Sequence, residues 1–183
     1  MAAKNTRNTA AKKQEVKESG STAIYGVVTL AMYGKRSFAN GKSDKEDRYR
    51  ISLKIDTKNL VKLREASAEF FEGVDETYIP KWFTEEYSDS DDIFVNFSSA
   101  FDIPIGEYNK DSFVDKGTMA DYVADNGNIN GSKVALMLTL KPGAIYPKAI
   151  IVKELHAQSL SDMFEQNKEE FEQMFDGEDL PFK

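Results

Sequence analysis

Two short stretches of the chain set cations beside aromatic rings. Tyr33-Gly34-Lys35-Arg36-Ser37-Phe38 is one; Arg48-Tyr49-Arg50, with Lys54 four residues on, is the other. Lys42 and Lys45 fall between them. Single-stranded nucleic acid asks for this mixture. Cations follow the phosphates, and flat rings stack bases of any kind at about 1–3 kcal/mol per base. Lys81-Trp82-Phe83, and Tyr146 with Lys148, carry the same chemistry further along the chain. The candidate contacts for a strand are therefore Tyr33, Lys35, Arg36, Phe38, Arg48, Arg50, Lys54, Trp82, Tyr146 and Lys148. Tyr49 alternates in phase with Ile51 and Leu53 and reads mostly as core. Trp82, the single tryptophan, reads equally as stacking platform or packing anchor.

Catalytic patterns do not compete with this reading. His156 is the one histidine, and there is no cysteine, which removes thiol nucleophiles, disulfides and Cys-ligated zinc. No phosphate-binding loop, dinucleotide fingerprint or nucleophile elbow occurs. Asn126-Gly127-Asn128-Ile129-Asn130-Gly131 opens like a calcium loop, but Met137 stands where a bidentate Glu is needed. Asp89, Asp91 and Asp92 have the carboxylates of a magnesium nuclease, although a solvated acidic loop is the commoner meaning of such a run. No enzymatic activity, cofactor or metal is expected.

These residues need elements to position them. The 183 residues suit one domain with tails, and 40% hydrophobic content is ample for its core. Residues 22–38 read as a long strand interrupted by Gly26 and Gly34, which mark a bulge, a bend or close backbone approach. Asn40-Gly41 signals a hairpin turn, and 48–56 alternates strictly, with Tyr49, Ile51, Leu53 and Ile55 opposite Arg48, Arg50, Ser52 and Lys54. A helix is predicted over 57–73, capped by Asp56 or Thr57 and stopped by Gly73. Residues 74–92 read as a loop with a short strand or turn. A strand follows at 93–97, extending toward Ile105, then a short helix from Thr118 to near Asp125. Strands at 133–141 and 146–155 flank the Pro142-Gly143 turn. About five strands with helices in the connections predict a mainly β domain, a five-stranded Greek-key barrel of the OB-fold type, over 22–158 with a helical insertion at about 57–92.

The flanks differ in charge. Residues 1–21 form a polar arm, read as disordered or loosely helical, and residues 1–18 carry +3. Residues 161–183 carry −6, most of the net charge of −7. The tail, 159–183, reads as partly helical, and its Phe164, Phe171 and Phe175 are expected to pack on the domain or on a second copy of the chain. It ends in Asp176, Glu178, Asp179, Leu180, Pro181 and Phe182, followed by Lys183. The acids need water, so the apolar tip suits a partner's pocket with basic surroundings, or another face of the same protein. No run approaches the ~18 apolar residues of a membrane span, and 1–17 lacks a secretory hydrophobic stretch.

In layout, and in the tip Glu178-Asp179-Leu180-Pro181-Phe182, the chain resembles the single-stranded DNA-binding proteins of bacteria and, more closely, of bacteriophages. That resemblance implies an OB-fold that coats single-stranded DNA in replication, recombination and repair. It also implies a tail that recruits replication and recombination proteins or competes with DNA, in the cytoplasm of a bacterial host. Lys183 departs from it, since the terminal carboxylate is not on the Phe. The alternative expectation is an interaction module whose acidic tail docks on a basic partner without DNA.

Overall fold

The computed structural model describes residues 19–35, 45–109 and 112–156. Residues 1–18 of the arm, Arg36, Phe38, the Asn40-Gly41 turn and the whole acidic tail with its tip lie outside them, whereas Gly20 and Ser21, read as the end of the arm, belong to the first strand.

Among the described residues seven strands form one sheet in the order β3-β2-β1-β6-β7-β4-β5. They are β1 Gly20–Gly34, β2 Arg48–Ile55, β3 Ile93–Ser99, β4 Pro104–Asn109, β5 Ser112–Thr118, β6 Lys133–Lys141 and β7 Ala144–Glu154. The mainly β class is as expected, but in place of the five strands predicted for a Greek-key barrel the described residues form an open seven-stranded sheet, with β3 at one edge and β5 at the other. The sheet nevertheless curls enough for β7 to touch β3.

β1 is the shared strand. Its first half pairs antiparallel with β6 and its second with β2, and the two pairings overlap at Val27. Gly26 permits this crossing, because a Cβ there would lie 2.7 Å from the Lys54 carbonyl oxygen. A bulge between Val28 and Leu30 then shifts the phase, so that Ile24 and Val28 point inward before it and Ala31 after it. Ile51, Leu53 and Ile55 of β2, Val95 of β3 and Leu136 and Leu138 of β6 complete the inner face.

Helix α1, Thr57–Ser67, is capped by Asp56, whose carboxylate accepts from the Asn59 backbone N–H at 2.7 Å. It buries Leu60 and Leu63. The predicted helix continues only as a 3-10 turn, Ala68–Phe70. The region read as loop contains a 3-10 turn, Glu76–Tyr78, and the one-turn helix α2, Lys81–Thr84, which Pro80 starts. Helix α3, Met119–Asn126, is capped by Thr118, whose hydroxyl accepts from the Asp121 N–H, as the capping spacing predicts.

The strand predicted from Ile93 toward Ile105 is broken. The Ser99 hydroxyl accepts from Phe101 N–H at 3.0 Å and the Asp102 carboxylate from Ile103 N–H at 2.8 Å, ending the ladder. The chain resumes as β4, which runs parallel to β7 and hairpins into β5. No helix among the described residues is long and apolar enough to cross a membrane.

Candidate nucleic-acid interface

The outward face of β2 holds Arg48, Arg50 and Lys54, as the alternation predicts. Ser52 lies between them and donates to Asn96 Oδ1 at 2.5 Å, joining β2 to β3. Arg50 Nη1 donates to the Gly34 carbonyl at 2.5 Å, which holds the guanidinium over the end of β1 near exposed Lys35.

Tyr33 does not share this face. It pairs with Tyr49, ring centroids 4.5 Å apart, on the side of Ile51 and Leu53. The pleat therefore separates Tyr33 from the cations expected to flank it. Its ring remains exposed at the rim, while burial first and the Asp102 carboxylate next hold the Tyr49 hydroxyl above its usual pKa.

Trp82 is corrected to a core residue. It is 5% exposed, edge-on to Phe71 at 6.5 Å and to Phe83 at 6.0 Å. Arg64 binds its carbonyl oxygen at 2.8 and 2.6 Å, tying α2 to α1. Such a ring cannot meet a base without local unfolding. Tyr146 and Lys148 are exposed on β7. Tyr146 lies opposite Thr139, toward the β6–β7 turn, with Lys141 Nζ 6.0 Å from its ring centre. It stands apart from the β1–β2 cations in the strand order.

The register brings together residues that sequence reasoning did not join. Phe94, Lys54, Val27, Lys133 and Glu154 are successive partners on β3, β2, β1, β6 and β7, so they form one transverse row. Phe94 is 49% exposed. Beside the row, Tyr25 is 47% exposed, with Lys153 Nζ 4.8 Å and Lys62 Nζ 5.9 Å from its ring centre. Both distances suit a cation–π contact. The Tyr25 backbone N–H donates to Asn59 Oδ1 at 2.9 Å, and the Asn59 amide donates to Asp56 at 2.8 Å. The helix cap thus positions the tyrosine.

No family model matches the chain, and no curated protein or solved structure matches it. The chemistry of this face rests on its own side chains.

A cleft of about 660 Å³ takes in Lys54, Val27, Lys133 and Glu154 of the row and is lined as well by Tyr25, Lys153 and the loop Asp89 to Asp92. Lys54 Nζ lies 2.6 Å from Asp92 Oδ1, and Lys133 Nζ lies 2.7 Å from Glu154 Oε2. Asp91 accepts from the Ser88 N–H at 2.6 Å, and this bond first, with the other hydrogen bond from Ser88, holds its carboxyl below the usual carboxylate range. Asp91 thereby shapes the loop. Among the described residues no group of His, Asp and Glu is arranged to hold a metal ion. The outward position of Lys133 is readable from the alternation of β6. Phe94, Tyr25 and Lys153 become neighbours of Lys54 and Lys133 only through the pairing of distant strands.

Proposed function

We propose that this chain is a single-stranded DNA-binding protein that coats exposed strands with little sequence preference during replication and recombination. The observation that carries the reading is the outward face on which Phe94 and Tyr25 stand beside Lys54, Lys133 and Lys153. Rings on neighbouring strands supply stacking surfaces, and ammonium groups between them supply phosphate contacts. Arg48, Arg50 and Lys35 extend the cationic surface along β2 and the end of β1.

Strand connectivity supports an OB-type origin for the sheet. β1, β2 and β3 form a meander, β6 returns to β1, and β7 pairs with β6. β4, the continuation of β3 after the bend, runs parallel to β7. The path supports reading the sheet as derived from a partly open five-stranded barrel, with its third strand broken and a β4–β5 hairpin added. The acidic tip Glu178-Asp179-Leu180-Pro181-Phe182 adds the resemblance to phage and bacterial strand-coating proteins, and with it a tail that recruits partners or competes with phosphate in a bacterial cytoplasm.

The test is titration of oligo-dT and of duplex of equal length over a salt series. Oligo-dT is expected to bind more tightly, with log affinity falling against log salt by about 0.7 per phosphate neutralised. A flat salt dependence or a preference for duplex defeats the reading. Removing residues 176–183 is expected to tighten binding at low salt; an unchanged affinity leaves recruitment as the tail's role.

A further inference from the structure

We infer that Asp92 and Glu154 occupy the lysines of the transverse row as the chain's own substitutes for phosphate, so that the row accepts a strand by exchanging carboxylate for phosphodiester. The inference rests on the strand-binding reading above and concerns how that site is regulated.

Two independent ion pairs carry it. Asp92 comes from the loop before β3 and covers Lys54 at 2.6 Å; Glu154 comes from the end of β7 and covers Lys133 at 2.7 Å. The backbone of each acid is fixed beside its lysine. Asp92 directly precedes Ile93, which is buried and paired with Ile55, and the loop behind it is braced by Asp91 on Ser88. Glu154 stands opposite Lys133 in the β6–β7 ladder.

The same pairs are built to open. The side chains of Lys54 and Asp92 are 46% and 60% exposed, those of Lys133 and Glu154 61% and 67%. Exposed pairs of this kind shift an equilibrium by a factor of only about 1.4 to 5. A phosphate arriving with its neighbours along a chain can displace both acids in turn, whereas a single small anion meets a cleft lined by three lysines and five carboxylates. Free phosphate is repelled by that excess, and a polyanion gains from every further contact on β2 and β1.

The experiment is a double-mutant cycle on the full chain, read by binding of fluorescent oligo-dT at low salt. Its members are wild type, Asp92→Asn, Lys54→Met and the double variant. Glu86→Gln removes the same charge from the same loop outside the cleft and serves as control. Thermal melts establish that each variant folds. Asp92→Asn is expected to tighten binding about two- to fivefold beyond the control, and this extra gain is expected to vanish in the Lys54→Met background. The equivalent cycle with Glu154→Gln and Lys133→Met is expected to behave alike. Equal gains with and without Lys54, or a gain no larger than the control's, overturn the exchange while leaving strand binding in place. Absence of oligo-dT binding in every variant, wild type included, defeats the strand-binding reading and this inference with it.

Discussion

Tyr25 and Trp82 exchange the roles their surroundings in the sequence suggest. Trp82 stands beside a lysine and an acidic run, yet its indole packs on Phe71 and Phe83. Its fluorescence is therefore expected to stay nearly constant as oligo-dT is added. Trp82→Ala is expected to cost about 3–5 kcal/mol of stability in denaturant unfolding, as for large aromatic truncations in cores. Tyr25 lies in an apolar stretch, yet its ring faces outward between Lys62 and Lys153. Tyr25→Ala is expected to weaken oligo-dT binding by about 1–3 kcal/mol, with Tyr25→Phe retaining most of the affinity. Equal affinity for both variants and wild type would remove Tyr25 from the interface.

At the scale of elements, α1 both caps itself and anchors the interface. Asp56 accepts from the Asn59 backbone and side chain, and Asn59 in turn accepts from Tyr25. The backbone bond first and the side-chain bond next hold the Asp56 carboxyl below its usual pKa. A lowered folded-state value means that the cap contributes fully above the ordinary carboxylate pKa of about 3.9. Its contribution falls away as pH drops through the folded value. Asp56→Ala is expected to cost about 1 kcal/mol near neutral pH, and the difference from wild type is expected to shrink in acid melts. Elements with one face on the core were legible in sequence: β2 and β6 alternate because Ile51, Leu53, Leu136 and Leu138 are buried. β5 was not, since every residue from Ser112 to Gly117 is exposed and no burial imposes a pattern. The break before β4 was hidden for another reason. It depends on Ser99 and Asp102 bonding to nearby backbone, which leaves no periodic trace. The cations of β2 could be read from alternation. The bulge after Val28 turned Tyr33 to the opposite side, and Tyr25, Phe94 and Lys153 joined the site only once the register between distant strands was known.

At the scale of the molecule, the buried apolar residues from Ile24 to Val152 share one central cluster among the described residues. His156, after β7, is tied to the turn before β6, its N–H donating to the Ser132 hydroxyl at 2.9 Å and its ring covering Gly131. Because one cluster joins both halves of the sheet, a fragment spanning residues 19–156 is expected to unfold cooperatively; a broad, non-cooperative melt would show that the flanks complete the core. The one parallel join among the described residues, Ile105 to Ile150 through Glu107 to Val152, has a different consequence. Its partners are separated by the whole of β5, α3 and β6, so closing it carries the loop entropy of a long connection. It is also short, and the described strand beyond it, β5, is exposed from Ser112 to Gly117. In deuterium, the amides of β4 and β5 are expected to exchange well before those of β1 and β6, marking this edge as the last part of the protein to fold and the first to let go.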